Sequence, residues 1–159
     1  MAVRISINNS EKLSKIIKEI TGVRLTSPIT GITTDSRDCE PGDLYIALLG
    51  DRSNGHHYLQ DVDAMDASAA LISERNSNQE LNLYQIIVED TRKTLGLIAN
   101  NWRNIFNIPV IAITGSNGKT STKELLYHVL KDKYNVHATE GNYNTSIGLP
   151  LSLFGINKN

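Results

Sequence analysis

Residues 110–126 read VIAITGSNGKTSTKELL: an apolar run, a short loop bounded by two glycines, then a helix-forming segment. Few architectures accommodate that order. A glycine loop between a buried strand and a helix implies a βα unit, hence an α/β fold with a largely parallel sheet. The spacing departs from the common G-x-x-x-x-G-K-[ST] phosphate loop, because Ile113 stands five positions before Gly118. The chemistry survives the shorter turn. Gly115 and Gly118 can take backbone angles that other residues avoid, and they let phosphate oxygens approach the N–H groups at the helix start. Lys119 would reach the terminal phosphates, and the Thr120 hydroxyl is placed to ligate Mg²⁺. Ser116 and Ser121 can add hydrogen bonds. Read alone, G-S-N-G is better explained as a solvated turn with Lys119 in water; the apolar run before it and Leu125, Leu126, Val129 and Leu130 after it favour phosphate binding.

The rest of the chain alternates the two periods. In SEKLSKIIKEITG, Leu13, Ile16, Ile17 and Ile20 recur at helical spacing, with Ser10 as the expected N-cap and Gly22 as the stop. Short β-type runs at Ile32–Thr34 and Leu44–Leu48 flank the turn Pro41-Gly42-Asp43. The segment HHYLQDVDAMDASAALIS predicts a helix and then a buried strand at Ala69–Ser73. LYQIIVED predicts another strand, whose run Ile86-Ile87-Val88 is too continuous for burial on one side only. DTRKTLGLIANNWRNIF predicts a helix capped by Asp90 or Thr91, burying Leu95, Ile98, Ala99, Trp102 and Ile105 and bridging two folding units. Strands at Val110–Thr114 and around Tyr134–Ala138 are expected on either side of a helix running from about Lys119 to Lys131.

Composition narrows the class further. A net charge of −1 gives no reason to expect nucleic acid. The lone Cys39 cannot make an internal disulfide. No run approaches the roughly 18 apolar residues of a membrane span, and the first residues lack a signal-peptide core. The expectation is a cytoplasmic protein without membrane contact.

Thr114-Gly115-Ser116-Asn117-Gly118-Lys119-Thr120 resembles the phosphate loop T-G-[ST]-x-G-K-[ST] of the Mur ligases and their folylpolyglutamate synthetase relatives, in which the early glycine is absent. Two further blocks carry the resemblance. GITTDSRDCEPGDLYIALLGDRSNGHHYLQDVDAMDASAALIS is similar to the N-terminal domain of the ligases that extend UDP-N-acetylmuramoyl peptides, with T-D-S-R, then P-G-D-L-[FY]-[VI]-A-L-x-G, then G-H. Lys123-Glu124 and EGNYNTSIGLPLSL resemble the branch of the family that adds D-alanyl-D-alanine. Together the blocks run from about Ile32 to Leu153.

The resemblance implies an ATP-dependent carbon–nitrogen ligase of peptidoglycan synthesis. It would join D-alanyl-D-alanine to UDP-N-acetylmuramoyl-tripeptide through an acyl phosphate, with ATP and Mg²⁺. Lys119 and Thr120 would be the catalytic residues, Thr120 also the metal ligand. Thr114 to Ser121 and Asn142 would hold nucleotide. Thr34, Asp35, Ser36, Arg37, Gly50, Asn54, Gly55, His56, Asn144 and Thr145 would face the UDP-muramoyl substrate. On residues alone, Asp35 and Ser36 could merely form a local turn with an exposed Arg37. Leu49, Asn54 and Thr145 depart from the family pattern, which often has Lys, Asp and Asn there. The implied fold is a small N-terminal α/β substrate domain (1–88) followed by the start of a P-loop α/β central domain (89–159), with no C-terminal domain. Such a piece would be inactive alone, and its incomplete central sheet edge would favour self-association. Other readings remain open: the sibling ligase adding the third amino acid, a binding module without catalysis, or an unrelated P-loop NTPase.

Overall fold

A computed structural model describes residues 4–50, 53–75, 81–139 and 145–156. Its centre is a five-stranded sheet in sequential order: β1 (Ile5–Ser6), β2 (Gly31–Thr33), β3 (Leu44–Ile46), β4 (Ala69–Ile72) and β5 (Tyr84–Ile87). β1 pairs antiparallel with β2, and every later pairing is parallel. The helices are α1 (Ser10–Thr21), α2 (Leu59–Ala64), α3 (Thr91–Asn104), α4 (Lys119–Leu130) and α5 (Gly148–Phe154).

Period-2 alternation divides the sheet between two cores. Ile32, Leu44, Ile46, Ala69, Leu71 and Ile86 face the helical layer built from α1, α3 and α5. Tyr45, Ala47, Ala70 and Ile72 face the other side, against Leu59 and Val62 of α2 and Cys39. Burial on both faces explains why β3 and β4 read as unbroken apolar runs. Burial also pushes the Cys39 thiol up to about 11, so it packs as an uncharged side chain.

The helix ends follow local chemistry. Gly22 closes α1 in the left-handed conformation, as expected. The N-cap, however, is Asn9, whose side chain accepts from Lys12 N–H at 3.1 Å. Ser10 lies one residue inside the helix, and its Oγ accepts from Ile29 N–H at 2.6 Å. Asp90 caps α3 through Lys93 N–H. Trp102 of α3 meets Phe106 and Phe154 at ring centroid distances of 5.7 and 6.2 Å, which docks α5 onto α3. The Trp102 indole N–H is the one buried side-chain polar atom without a partner among the described residues.

Three expectations are corrected. β5 is an edge strand that buries Ile86 but exposes Tyr84 and Ile87, so its continuous apolar run does not mean two-sided burial. Neither Val110–Thr114 nor Tyr134–Ala138 joins a ladder among the described residues, and Val110 and Ile111 are 55% and 60% exposed. A β-type run becomes a strand only where a neighbour takes its backbone hydrogen bonds. α4 forms as expected, yet it buries none of its residues; Leu125 and Val129 are 69% and 71% exposed.

Two polar clusters set the ends of the strands. Asp43 is fully buried just before β3 and accepts from Arg4 Nε and NH2 at 2.8 Å each, Thr30 Oγ1 at 3.1 Å and Glu40 N–H at 3.0 Å. At the opposite strand ends, His56 is buried between the segment after β3 and the exit of β4. Its Nδ1–H donates to Asn54 Oδ1 at 2.7 Å, and its Nε2 accepts from Ser73 N–H at 2.9 Å. A backbone N–H aimed at Nε2 requires the neutral ring, and burial lowers the His56 pKa accordingly.

Arg4→Met should therefore cost about 3–5 kcal/mol, because it strands a buried carboxylate; urea denaturation of the two proteins checks this. His56 contributes a pH dependence of definite sign. The unfolded ring binds a proton near its ordinary pKa of about 6.5, whereas the folded ring resists it, so stability falls as pH drops below about 6.5. Denaturation at about pH 8 and pH 5.5 should show this loss in the native chain and a smaller one in His56→Gln, which lacks the ionisable ring.

Candidate nucleotide and substrate sites

Parallel strands gather their exit loops at one edge, where ligands of open α/β sheets bind. The segment 34–38 leaves β2, 47–56 leaves β3, Ser73 and Glu74 leave β4, and 88–90 leads from β5 into α3.

The β2 exit contains Thr34, Asp35, Ser36 and Arg37. Thr33 Oγ1 accepts from Asp35 N–H at 3.1 Å, and Asp35 Oδ1 accepts from Arg37 N–H at 3.0 Å, making a capped 3-10 turn at Ser36–Asp38. The exposed Arg37 guanidinium folds back onto the Asp35 carboxylate, donating from Nε at 2.9 Å and from NH2. This pairing holds the Asp35 carboxyl below its ordinary range and raises the Arg37 pKa. The local turn weighed from the sequence thus exists, and Arg37 sits at its solvent-facing tip.

In the β3 exit, Gly50 N–H donates to Ser53 O at 2.9 Å, and Leu49 bridges Asn54. Asn54 is the organiser: its Oδ1 also accepts from His56 N–H at 2.9 Å, while its Nδ2 donates to Glu74 at 3.0 Å. Gly55 must lack a side chain, since a Cβ would lie 2.7 Å from Leu48 N. Its carbonyl accepts from the buried Tyr45 hydroxyl at 3.0 Å. His56 has both ring nitrogens engaged inside the protein, so it fixes the loop from beneath, whereas Gly50 is exposed at its surface.

The glycine loop lies at the N-terminus of α4. Gly115 and Gly118 have φ of 149° and 76°, and Gly118 is the left-handed N-cap. Those angles are what the pattern asked of glycine. Lys119 Nζ donates to Gly115 O and, at 3.4 Å, to Ser116 O, which keeps the ammonium over the loop. Thr114, Ser116, Asn117, Thr120 and Ser121 are exposed around it. Thr120, the metal ligand expected from the sequence, is one of several exposed hydroxyls there, and among the described residues no three His, Cys, Asp or Glu side chains form a metal-sized group. Thr145 Oγ1 accepts from Gly148 N–H at 2.9 Å and so closes the start of α5. Asn142 and Asn144 fall outside the described residues.

Among the described residues no hydrogen bond or ion pair joins the glycine loop to the exit loops. Sequence reasoning missed Glu74, which steadies Asn54, and Arg92, whose NH2 donates to Leu49 O at 3.3 Å. Its cue was available: Arg92 and Lys93 begin a helix whose first turn holds no acid.

Comparison with known proteins agrees with this geometry. Residues 28–103 match the family model described as "Mur ligase family, catalytic domain", and residues 113–159 match "Mur ligase middle domain". The UDP-N-acetylmuramoyl-tripeptide–D-alanyl-D-alanine ligase of Synechocystis sp. is 38% identical over 141 residues, covering 89% of this chain and 31% of the relative. The Escherichia coli ligase of the same description is 36% identical over 149 residues, covering 94% and 32%. A crystal structure of MurF from Acinetobacter baumannii superposes with TM-score 0.83 at 31% identity over 91% of this chain and 33% of that one. MurF from Thermotoga maritima in complex with ADP gives 0.72 at 35% identity, covering 80% and 29%. The chain thus spans about a third of the length of these relatives. No helix among the described residues is long and apolar enough to cross a membrane. With both family matches in order along the chain, and with the fold and glycine loop those matches require, the chain belongs to the Mur ligase family and corresponds to a portion of its MurF members.

Proposed function

We propose that this chain is the UDP-muramoyl-peptide-binding part and the phosphate loop of an ATP-dependent ligase that adds D-alanyl-D-alanine to UDP-N-acetylmuramoyl-tripeptide in the cytoplasm. The observation that carries the reading is the pairing of two anion-suited places in one chain. One is the polar edge where the exits of β2 and β3 meet; the other is the Gly115–Lys119 turn at the start of α4. Residues 1–88 form the substrate unit, residues 89–159 begin the ATP unit, and α3 bridges them through its contacts with α1 and α5.

In the whole enzyme, the terminal carboxylate of the tripeptide attacks the γ-phosphorus of ATP, releasing ADP and leaving an acyl phosphate. The amine of D-alanyl-D-alanine then attacks the acyl carbon, phosphate departs, and the amine loses its proton. Lys119 stabilises charge on the transferring phosphoryl group, and the backbone N–H groups of the loop hold the other phosphates. The exposed Thr120 hydroxyl could supply one oxygen ligand to Mg²⁺. When bound, Mg²⁺ would supply charge neutralisation. On the substrate side, Thr34, Ser36 and Arg37 present donors, Gly50 offers close backbone approach, and Asn54 and His56 hold that loop in place.

Calorimetric titration tests both halves. The folded chain should bind UDP-N-acetylmuramoyl-tripeptide saturably, and Lys119→Ala should weaken ATP by about tenfold or more without changing affinity for the UDP substrate. A folded chain that binds neither ligand would sink the proposal.

A further inference from the structure

Arg92 is an arginine placed against local preference. It occupies the first turn of α3, next to Lys93 and with no acid in that turn. The helix dipole makes that end partly positive, which disfavours cations there, and the Asp90 carboxylate at the N-cap offsets part of that charge. Arg92 is exposed. Its guanidinium donates to the carbonyl of Leu49, on the exit of β3, although α3 follows β5. β4 lies between those strands in the sheet order, so this contact ties the start of α3 to the exit of a strand that is not its own neighbour.

One neutral hydrogen bond at 3.3 Å is a small return for ordering so long a side chain. It also uses one of five N–H donors. Arg92 has no ion pair with any carboxylate among the described residues, whereas Arg37 on the neighbouring exit of β2 is already paired with Asp35. The two guanidiniums at adjacent exit loops are therefore unequal: the charge of Arg37 is compensated within its own turn, and that of Arg92 has no ion-pair partner among the described residues. A planar fork anchored beside Gly50, with its remaining donors available, matches two phosphate oxygens of a diphosphate.

We propose that Arg92 is a diphosphate-binding residue of the substrate site, its guanidinium presented by the Leu49 carbonyl over the exit of β3. This rests on the reading that the edge binds a uridine-diphosphate substrate. It adds the residue that separates a nucleoside diphosphate from the bare nucleoside.

The test titrates the full chain and its variants with UDP and with uridine. Arg92→Ala should weaken UDP by about tenfold or more and leave uridine affinity unchanged, and Arg92→Lys, which keeps charge without the fork, should fall between. The UDP affinity of the variant should also depend less steeply on salt. Lys15→Ala, an exposed charge on α1, serves as the control and should match the native chain. UDP affinity that survives Arg92→Ala would overturn the inference. Equal loss of UDP and uridine would also overturn it, because Arg92 would then only brace the loop. A folded native chain that binds no UDP would overturn the site reading itself, and this inference with it.

Discussion

The fold is organised around one carboxylate buried where charge is expensive. Asp43 has no exposed surface, and its oxygens are held by Arg4 from the segment leading into β1, by Thr30 before β2 and by the backbone of Glu40. Its main-chain carbonyl also accepts from Ser68 and Ala69 N–H, at the start of β4. A single residue thereby aligns the N-terminal ends of three parallel strands and ties the antiparallel β1 to them. Gly31 is a consequence: a Cβ there would lie 2.6 Å from Asp43 Oδ1 and 2.8 Å from Arg4. An ion pair so buried is poor evidence of net stability, since desolvation offsets much of the attraction. What it supplies is register, because a one-residue slip of any strand would break it.

Locking one edge of the sheet leaves the other for the loops proposed to bind substrate. There the organising interactions are neutral. His56 is an uncharged bolt between Asn54 and Ser73, and Tyr45 reaches the Gly55 carbonyl from below. Such neutral supports would suit the proposed anion site, because they hold the loop without adding negative charge. The Glu74 carboxylate, which accepts from Asn54 Nδ2, is the charged exception, since a hydrogen bond from a neutral amide leaves its negative charge in place.

Much of this was legible in sequence, and the misses share a cause. The helical spacing of Leu13, Ile16 and Ile17 gave α1, and glycine at 22, 115 and 118 marked positions whose φ is indeed positive. Those signals are local. Whether Ile87 is buried depends on a strand beyond β5, and whether Val110–Thr114 forms a ladder depends on a partner; neither is written in the run itself. α5 escaped notice because GLPLSLF carries a proline, which the first turn of a helix tolerates. In the site, Thr34–Arg37 and Asn54–His56 were visible as motifs. The division of labour between buried His56 and exposed Arg37 was not, since it follows from the sheet beneath them.

The two proposed ligand sites also differ in how firmly they are built. The exits of β2 and β3 rest on strands whose described residues are buried, and side-chain hydrogen bonds hold Asp35–Arg37 and Asn54–His56 in place. The glycine loop stands on an exposed run and on a helix of 12 residues that buries none of them. A helix that short is marginal in water without tertiary packing. Its turn is therefore organised mainly from within, by the backbone angles of Gly115 and Gly118 and by the hold of Lys119 on its own carbonyls. An arriving phosphate would compete for Lys119 and would have to order the loop it binds, at a cost in affinity. Covering Leu125 and Val129 would remove apolar surface from water at about 25 cal/mol per Å² and stiffen the same helix. Burial of that face and the strength of the proposed phosphate binding would thus be thermodynamically coupled.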